Sequence, residues 1–133
     1  QKNITVVSCD LNKLKAINDQ FGHSAGDEHI RALAQLLMKN FRTQGSTYRI
    51  GGDEFVTLLF NASLDATEKK IAEICVEARQ VTIGNFCLCF SYGIAQFDPA
   101  QDDSIDDTIS RADVKMYHYK CAKREAEAAK TII

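Results

Sequence analysis

Arg49-Ile50-Gly51-Gly52-Asp53-Glu54-Phe55 lies between two short strand-like runs, Thr47 to Ile50 and Phe55 to Phe60. Paired glycines are expected to supply the positive φ angles that a tight turn between such runs needs, so the segment reads as a β-hairpin. Its tip carries two adjacent carboxylates, Asp53 and Glu54.

Upstream, Ile4 to Leu11 is apolar and β-branched and reads as a strand that ends at Asn12 and Lys13. Leu14, Ile17 and Phe21 follow at near-helical spacing until Gly22, and Ser24 is expected to cap a second helix whose apolar face is Ile30, Leu33, Leu37 and Phe41. Downstream, the polar break Asn61 to Ser63 introduces a helix with Leu64, Ile71, Ile74 and Ala78 on one side. A strand-rich stretch from Val81 to Phe97, interrupted at Gly84-Asn85, leads through a loop at Pro99 to Asp103. The last helix turns Ile105, Ile109, Ala112 and Met116 inward, and its polar continuation to Lys130 is expected to fray or project. This order predicts an α+β domain: a central, mainly antiparallel sheet flanked by helices, close to the ferredoxin-like β-α-β-β-α-β plan.

The chain has 133 residues, 45% of them apolar, which fits one domain with an ordinary core. A net charge of −2 without a dense basic run offers no footprint for DNA, RNA or anionic lipid. No apolar stretch is long enough to span a bilayer, which predicts a soluble segment without direct membrane contact. Five cysteines, an odd number, most of them within apolar runs, point to packing in a reduced cytoplasmic setting. Cys87 and Cys89 are expected to share one sheet face as packed residues. The abrupt start at a strand reads as a fragment of a longer protein, and the parent chain is free to carry a membrane anchor.

Asp10 closes the first strand, and Asp53 sits on the hairpin tip. If these strands are neighbours the carboxylates converge, and such hard oxygen ligands suit Mg²⁺ completed by phosphate oxygens and water. Phosphoryl transfer is then the natural chemistry. Spacing alone leaves a plain solvated turn equally open.

The string from Arg49 to Phe55 resembles the signature of the GGDEF family, the bacterial diguanylate cyclase domains. Asp10-Leu11-Asn12-Lys13-Leu14-Lys15-Ala16-Ile17-Asn18-Asp19, Phe21-Gly22-His23 and Gly26-Asp27 are similar to that family's substrate-binding segment. Ser91-Tyr92-Gly93-Ile94-Ala95 and Ala112-Asp113, Tyr117 and Lys120 resemble its late strand and last helix. The resemblance covers nearly all of the chain, which would make residues 1–133 one GGDEF domain with the palm-type nucleotide-cyclase fold.

By that resemblance, Asp10, Asp53 and the Leu11 main-chain carbonyl would hold Mg²⁺ or Mn²⁺. Asp53 would be the base for a ribose 3′-hydroxyl, with Glu54 assisting. Lys15 would stabilise the transition state, an apt place for a mobile ammonium. Lys120 and Arg124, four apart on one helix face, would clamp the terminal phosphates of GTP. Asn18, His23 and Asp27 would read guanine, whose N1–H and N2 amino group pair with a carboxylate as no adenine edge does. The activity implied is condensation of two GTP into cyclic di-GMP with release of pyrophosphate, by a homodimer of two facing domains. The alternatives are a GTP-binding regulatory module without turnover and a one-GTP cyclase or polymerase-like palm. The 133 residues begin after the position of the family's Asp-x-Leu-Thr helix, Asn12 and Leu14 replace a common aspartate and phenylalanine, and Lys123 stands where a glycine is usual. The product-inhibition site, Arg-x-x-Asp in the family, reads Arg42-Thr43-Gln44-Gly45. It is degenerate, so little product inhibition is expected there, and Gly45→Asp is expected to restore some.

Overall fold

Strand β1 (Ile4–Leu11) has hydrogen-bonded neighbours along both edges and helices against both faces, which is why nearly all of it is buried. The computed structural model describes residues 3–83 and 86–132, with side chains as far as residue 120. After β1 come α1 (Leu14–Phe21), α2 (His23–Phe41), the hairpin β2 (Gly45–Arg49) and β3 (Glu54–Phe60), and α3 (Leu64–Arg79). A small hairpin of β4 (Thr82–Ile83) and β5 (Phe86–Cys87) precedes β6 (Phe90–Gln96) and α4 (Ile105–Ile132). The main sheet runs β2-β3-β1-β6, with every neighbouring pair antiparallel. The antiparallel sheet with flanking helices is the architecture expected above.

Alternation along the strands divides the core in two. Val7, Cys9 and Leu11 of β1 face α2 and α3, packing with Leu33, Leu37, Phe41, Ile71 and Ile74. Val6, Val56 and Ala95 face the other way, against Ala112 of α4 with Ile105 and Ile109 beside it.

Several local expectations need correction. Ser24 does not cap α2: the helix begins at His23, with Gly22 as its cap residue at φ 89° and no side-chain cap bond. Gly22 also ends α1, its amide donating to the Asn18 carbonyl, so one residue in the left-handed region joins two helices where a β-carbon would be strained. Phe21 is 38% exposed and meets Phe86 edge-on instead of facing the core. The stretch from Val81 to Phe97 is three strands in two sheets, because β4 and β5 pair only with each other. Cys9 is buried as expected, but Cys87 is exposed. The polar segment expected to fray or project is helical as part of α4; the Cys121 and Arg124 side chains lie outside the described residues.

Two devices hold α4 on the sheet. Arg111 donates through Nε and Nη2 to the two oxygens of buried Asp102, at 2.9 and 2.5 Å, and through Nη2 to the Gln96 carbonyl at 2.7 Å. Thr108 adds a 2.9 Å hydroxyl bond to the same carboxylate. This bidentate contact holds the Asp102 carboxyl far below the usual carboxylate range. The second device is Gly93 of β6, where an added β-carbon would land on the Ala112 carbonyl oxygen and the Met116 amide nitrogen of α4. Gly93→Ala is therefore expected to push α4 outward and destabilise the chain by about 1–3 kcal/mol, the range for overpacking. A lower urea midpoint at unchanged slope would register it.

Candidate functional site

Antiparallel register brings the two expected carboxylate positions to one end of the sheet. Asp10 stands opposite Glu54 of β3 on one side and Ser91 of β6 on the other. The Leu11 amide donates to the Asp53 carbonyl at 3.1 Å, fastening the hairpin tip beside the last residue of β1. On the opposite edge the Asn12 amide donates to the Cys89 carbonyl at 3.0 Å, and the Ser91 hydroxyl to Asn12 Oδ1 at 2.8 Å. Lys13 then takes a left-handed conformation, φ 63° and ψ 24°, and turns the chain into α1. A lysine pays roughly 1–2 kcal/mol for that conformation, so the bonds on both sides of it must hold the turn.

The hairpin tip is built differently from the expectation. Neither Gly51 nor Gly52 has a positive φ; among the described glycines only Gly22 does. The loop closes through main-chain donation from Ile50 and Gly51 to the Glu54 carbonyl, at 2.8 and 3.5 Å. Arg49 completes it: Nε donates to the carbonyls of Gly51 and Gly52 at 3.1 and 3.2 Å, and Nη2 to Gly52 at 2.7 Å. The glycines instead leave bare backbone, since an added β-carbon at Gly52 would meet nothing within 4 Å. A phosphate-sized group can approach that surface closely.

Lys120 reaches in from α4 and donates to Asp10 Oδ2 at 2.8 Å, with both side chains largely shielded. Glu54 has its pKa raised, chiefly by burial, then by the negative charges of Asp113, Asp10 and Asp53, with Lys120 opposing. Asp113, also on α4, has a buried Oδ1 with no hydrogen-bond partner among the described residues. This crowding of oxygen donors fits a hard divalent cation. No group of three or more His, Cys, Asp or Glu side chains among the described residues forms a ready cation cage. A cation held here would take much of its shell from phosphate oxygens and water.

The remaining expected residues sit on α1 and α2. Lys15 is solvent-exposed, with its ammonium 3.4 Å from Asp19 one helical turn on. Asn18 is half-buried over Gly26, where an added β-carbon would collide with Asn18 Oδ1, and that oxygen is buried without a hydrogen-bond partner among the described residues. Asp27 is exposed and borders a depression of about 460 Å³ between α2 and the hairpin, with Arg31, Thr47, Arg49 and Phe55. His23 is exposed at the first residue of α2. Arg124 lies where side chains are not described. Arg42 is exposed after α2, and Gly45 opens β2 beside a depression of about 400 Å³.

Arg49 and Asp113 carry structural weight that the sequence reading did not assign. A basic residue beside two glycines whose carbonyls lack local donors was a usable signal for Arg49. Asp113 appeared only within the last-helix resemblance and without a role, and the docking of α4 behind β6 brings it to the carboxylates.

The diguanylate cyclase GGDEF domain model matches residues 1–126 of the chain. Diguanylate cyclase VdcA of Vibrio cholerae is 29% identical over 126 residues, 90% of this chain and 37% of that protein. Diguanylate cyclase DosC of Escherichia coli K12 is 34% identical over 119 residues, 86% of this chain and 25% of that protein. The chain thus spans well under half the length of these relatives. Among solved structures, the active GGEEF domain of a diguanylate cyclase from Vibrio cholerae superposes with a TM-score of 0.84 at 27% identity, covering 91% of this chain and 78% of that one. The GGDEF domain of DgcB from Caulobacter crescentus, in complex with c-di-GMP, gives 0.83 at 25% identity, covering 90% and 73%.

The geometry at Gly45 reverses one expectation. An added β-carbon there would collide with the Leu58 carbonyl of the neighbouring strand, so Gly45→Asp cannot simply restore a carboxylate beside Arg42. It is expected to destabilise the domain by about 1–3 kcal/mol. Calorimetry should find cyclic di-GMP binding no tighter in the variant than in the parent.

Proposed function

The chain belongs to the GGDEF family of diguanylate cyclase domains, and from that premise we propose that it condenses two GTP molecules into cyclic di-GMP and releases pyrophosphate. We take it to be the catalytic domain of a longer protein. The observation that supports this reading best is the pairing of β1 with β3, which sets Asp10 opposite Glu54 and ties Asp53 to Leu11. Two carboxylates presented at bare glycine backbone are what a nucleoside triphosphate and its counter-ion require.

In the proposed reaction Asp10, Asp53 and the Leu11 carbonyl hold a divalent cation, Mg²⁺ or Mn²⁺. The cation would acidify the attacking 3′-hydroxyl and offset phosphate charge. Asp53 accepts the proton of that hydroxyl as it attacks the α-phosphorus of the other GTP, with Glu54 beside it. Lys15, unconstrained apart from its exposed contact with Asp19, swings onto the developing phosphate charge. Lys120 leaves Asp10 or shares it, and with Arg124 it binds the outgoing pyrophosphate. Asn18, His23 and Asp27 read the guanine edge. The product has two-fold symmetry, so two domains face each other, each presenting one GTP. GTP as substrate places the reaction in the cytoplasm; no helix among the described residues is long and apolar enough to cross a membrane.

Pyrophosphate release by a domain held as a dimer through a fused coiled coil tests the reading. Asp53→Asn is expected to lower turnover by about 10²–10⁴-fold, the usual value of a positioned base, with little change in the unfolding midpoint. Full activity in that variant overturns the mechanism, and GTP binding without pyrophosphate release in the parent favours the regulatory module. Base choice gives a second check. The parent is expected to prefer GTP over ATP by about a hundredfold or more, as unpaired buried polar groups would penalise adenine, and Asp27→Ala should narrow that ratio. Competition between the two nucleotides in the same assay measures it.

A further inference from the structure

Outside the carboxylate site, the least expected chemistry lies on the β4–β5 hairpin. Cys87 closes β5 and Cys89 follows two residues on, and their sulfur atoms stand 3.5 Å from each other without being bonded. Cys87 is exposed and Cys89 half-buried, so an accessible thiol has a second one at its back. A disulfide bond is about 2.05 Å long, so closure needs the sulfurs to approach by roughly 1.5 Å.

The hairpin that carries this pair braces α1 at both ends. The Cys89 carbonyl accepts the Asn12 amide, two residues before α1, and Phe86 meets Phe21 at the last residue of α1 with ring centres 5.7 Å apart. The buried His29 of α2 sets its Nε2 3.3 Å from the Ile83 carbonyl, holding β4 from the other side. A change of backbone shape between residues 87 and 89 therefore bears directly on the Asn12 bond.

We propose that Cys87 and Cys89 form a reversible dithiol site for low-molecular-weight disulfides, and that its closure loosens the entry to α1. The Cys87 thiolate attacks one sulfur of the small disulfide and expels the other as a thiolate, leaving a mixed disulfide on Cys87. The Cys89 thiolate then attacks the Cys87 sulfur and expels the second small thiolate. The two cysteines are oxidised by two electrons, the small disulfide is reduced to two thiols, and the two cysteine protons end on those thiols. Bonding the sulfurs reshapes the backbone between Cys87 and Cys89 and draws the Cys89 carbonyl away from Asn12.

The test uses the intact 133-residue chain with oxidised glutathione as the probe. After alkylation, trypsin cuts at Arg79 and Arg111, and the peptide Gln80–Arg111 holds Cys87 and Cys89 and no other cysteine. The expected product is that peptide lighter by two hydrogens, reversed by dithiothreitol, from a chain whose intact mass remains monomeric. Hydrogen exchange at the Asn12 amide should quicken by about tenfold on oxidation, as expected for a locally released bond. Cys87→Ser, at an exposed position, should show neither change, and Cys89→Ser should stop at a stable glutathione adduct on Cys87. A lasting adduct in the parent, two unreacted thiols, or linkage of either cysteine to Cys75 or Cys121 overturns the site. Closure with unchanged Asn12 exchange overturns the coupling to α1. None of these readouts depends on cyclase activity.

Discussion

Strand β1 is hydrogen-bonded to β3 and β6 and packed between helices on both faces, so its residues have almost no freedom of register. A slip of one residue would turn Val7, Cys9 and Leu11 onto the face that α4 covers, and Val6 onto the other. The core thus decides where Asp10 stands. Its position opposite Glu54 and Ser91 is a consequence of apolar packing several residues away, which is how a scaffold holds a carboxylate at a sheet rim without spending side-chain contacts on it.

At that rim the logic of stability is reversed. Asp10, Asp53, Glu54 and Asp113 crowd together, and Glu54 titrates upward because burial and its acidic neighbours disfavour its charge. Lys120 relieves part of this through its contact with Asp10. A sequence selected for stability alone would not assemble four acids at one rim; such violations of local consistency mark functional ground. The contrast with Asp102 is instructive. That carboxylate is buried too, yet Arg111 and Thr108 satisfy it and its acidity moves the opposite way. Asp102 is a fastener, whereas the rim acids are held in mutual repulsion.

Most of the fold was legible because it rests on periodicity. The alternation in β1, the spacing of Leu33, Leu37 and Phe41, and that of Ile71, Ile74 and Ala78 each report a burial pattern that tertiary packing preserves. What failed were the positions where one bond or one clash decides. Ser24 has the chemistry of a helix cap, but Gly22 already closed the junction. Gly51-Gly52 looked like a positive-φ turn, and a neighbouring side chain, Arg49, supplied the closure instead. Gly45 looked like a position missing a carboxylate, while the neighbouring strand excludes any side chain there. Asp10, Asp53 and Glu54 were readable as a group from motif spacing. Asp113 was quoted only within the last-helix resemblance and given no role, since it enters through the docking of a helix a hundred residues downstream, by way of a glycine whose importance is the absence of an atom.

The reach of Lys120 has a consequence for how the protein is made. The lysine meets Asp10 across 110 residues of chain, and β1 finds its second hydrogen-bonded neighbour only in β6. During synthesis the first residues leave the ribosome long before these partners exist. Until β6 has been translated, β1 has one bare edge, and the contact of Asp10 with Lys120 waits for α4. Pairings this distant in the chain form slowly. A nascent chain therefore carries the acidic rim as a late assembly, complete only when the last helix is available to seat against Gly93.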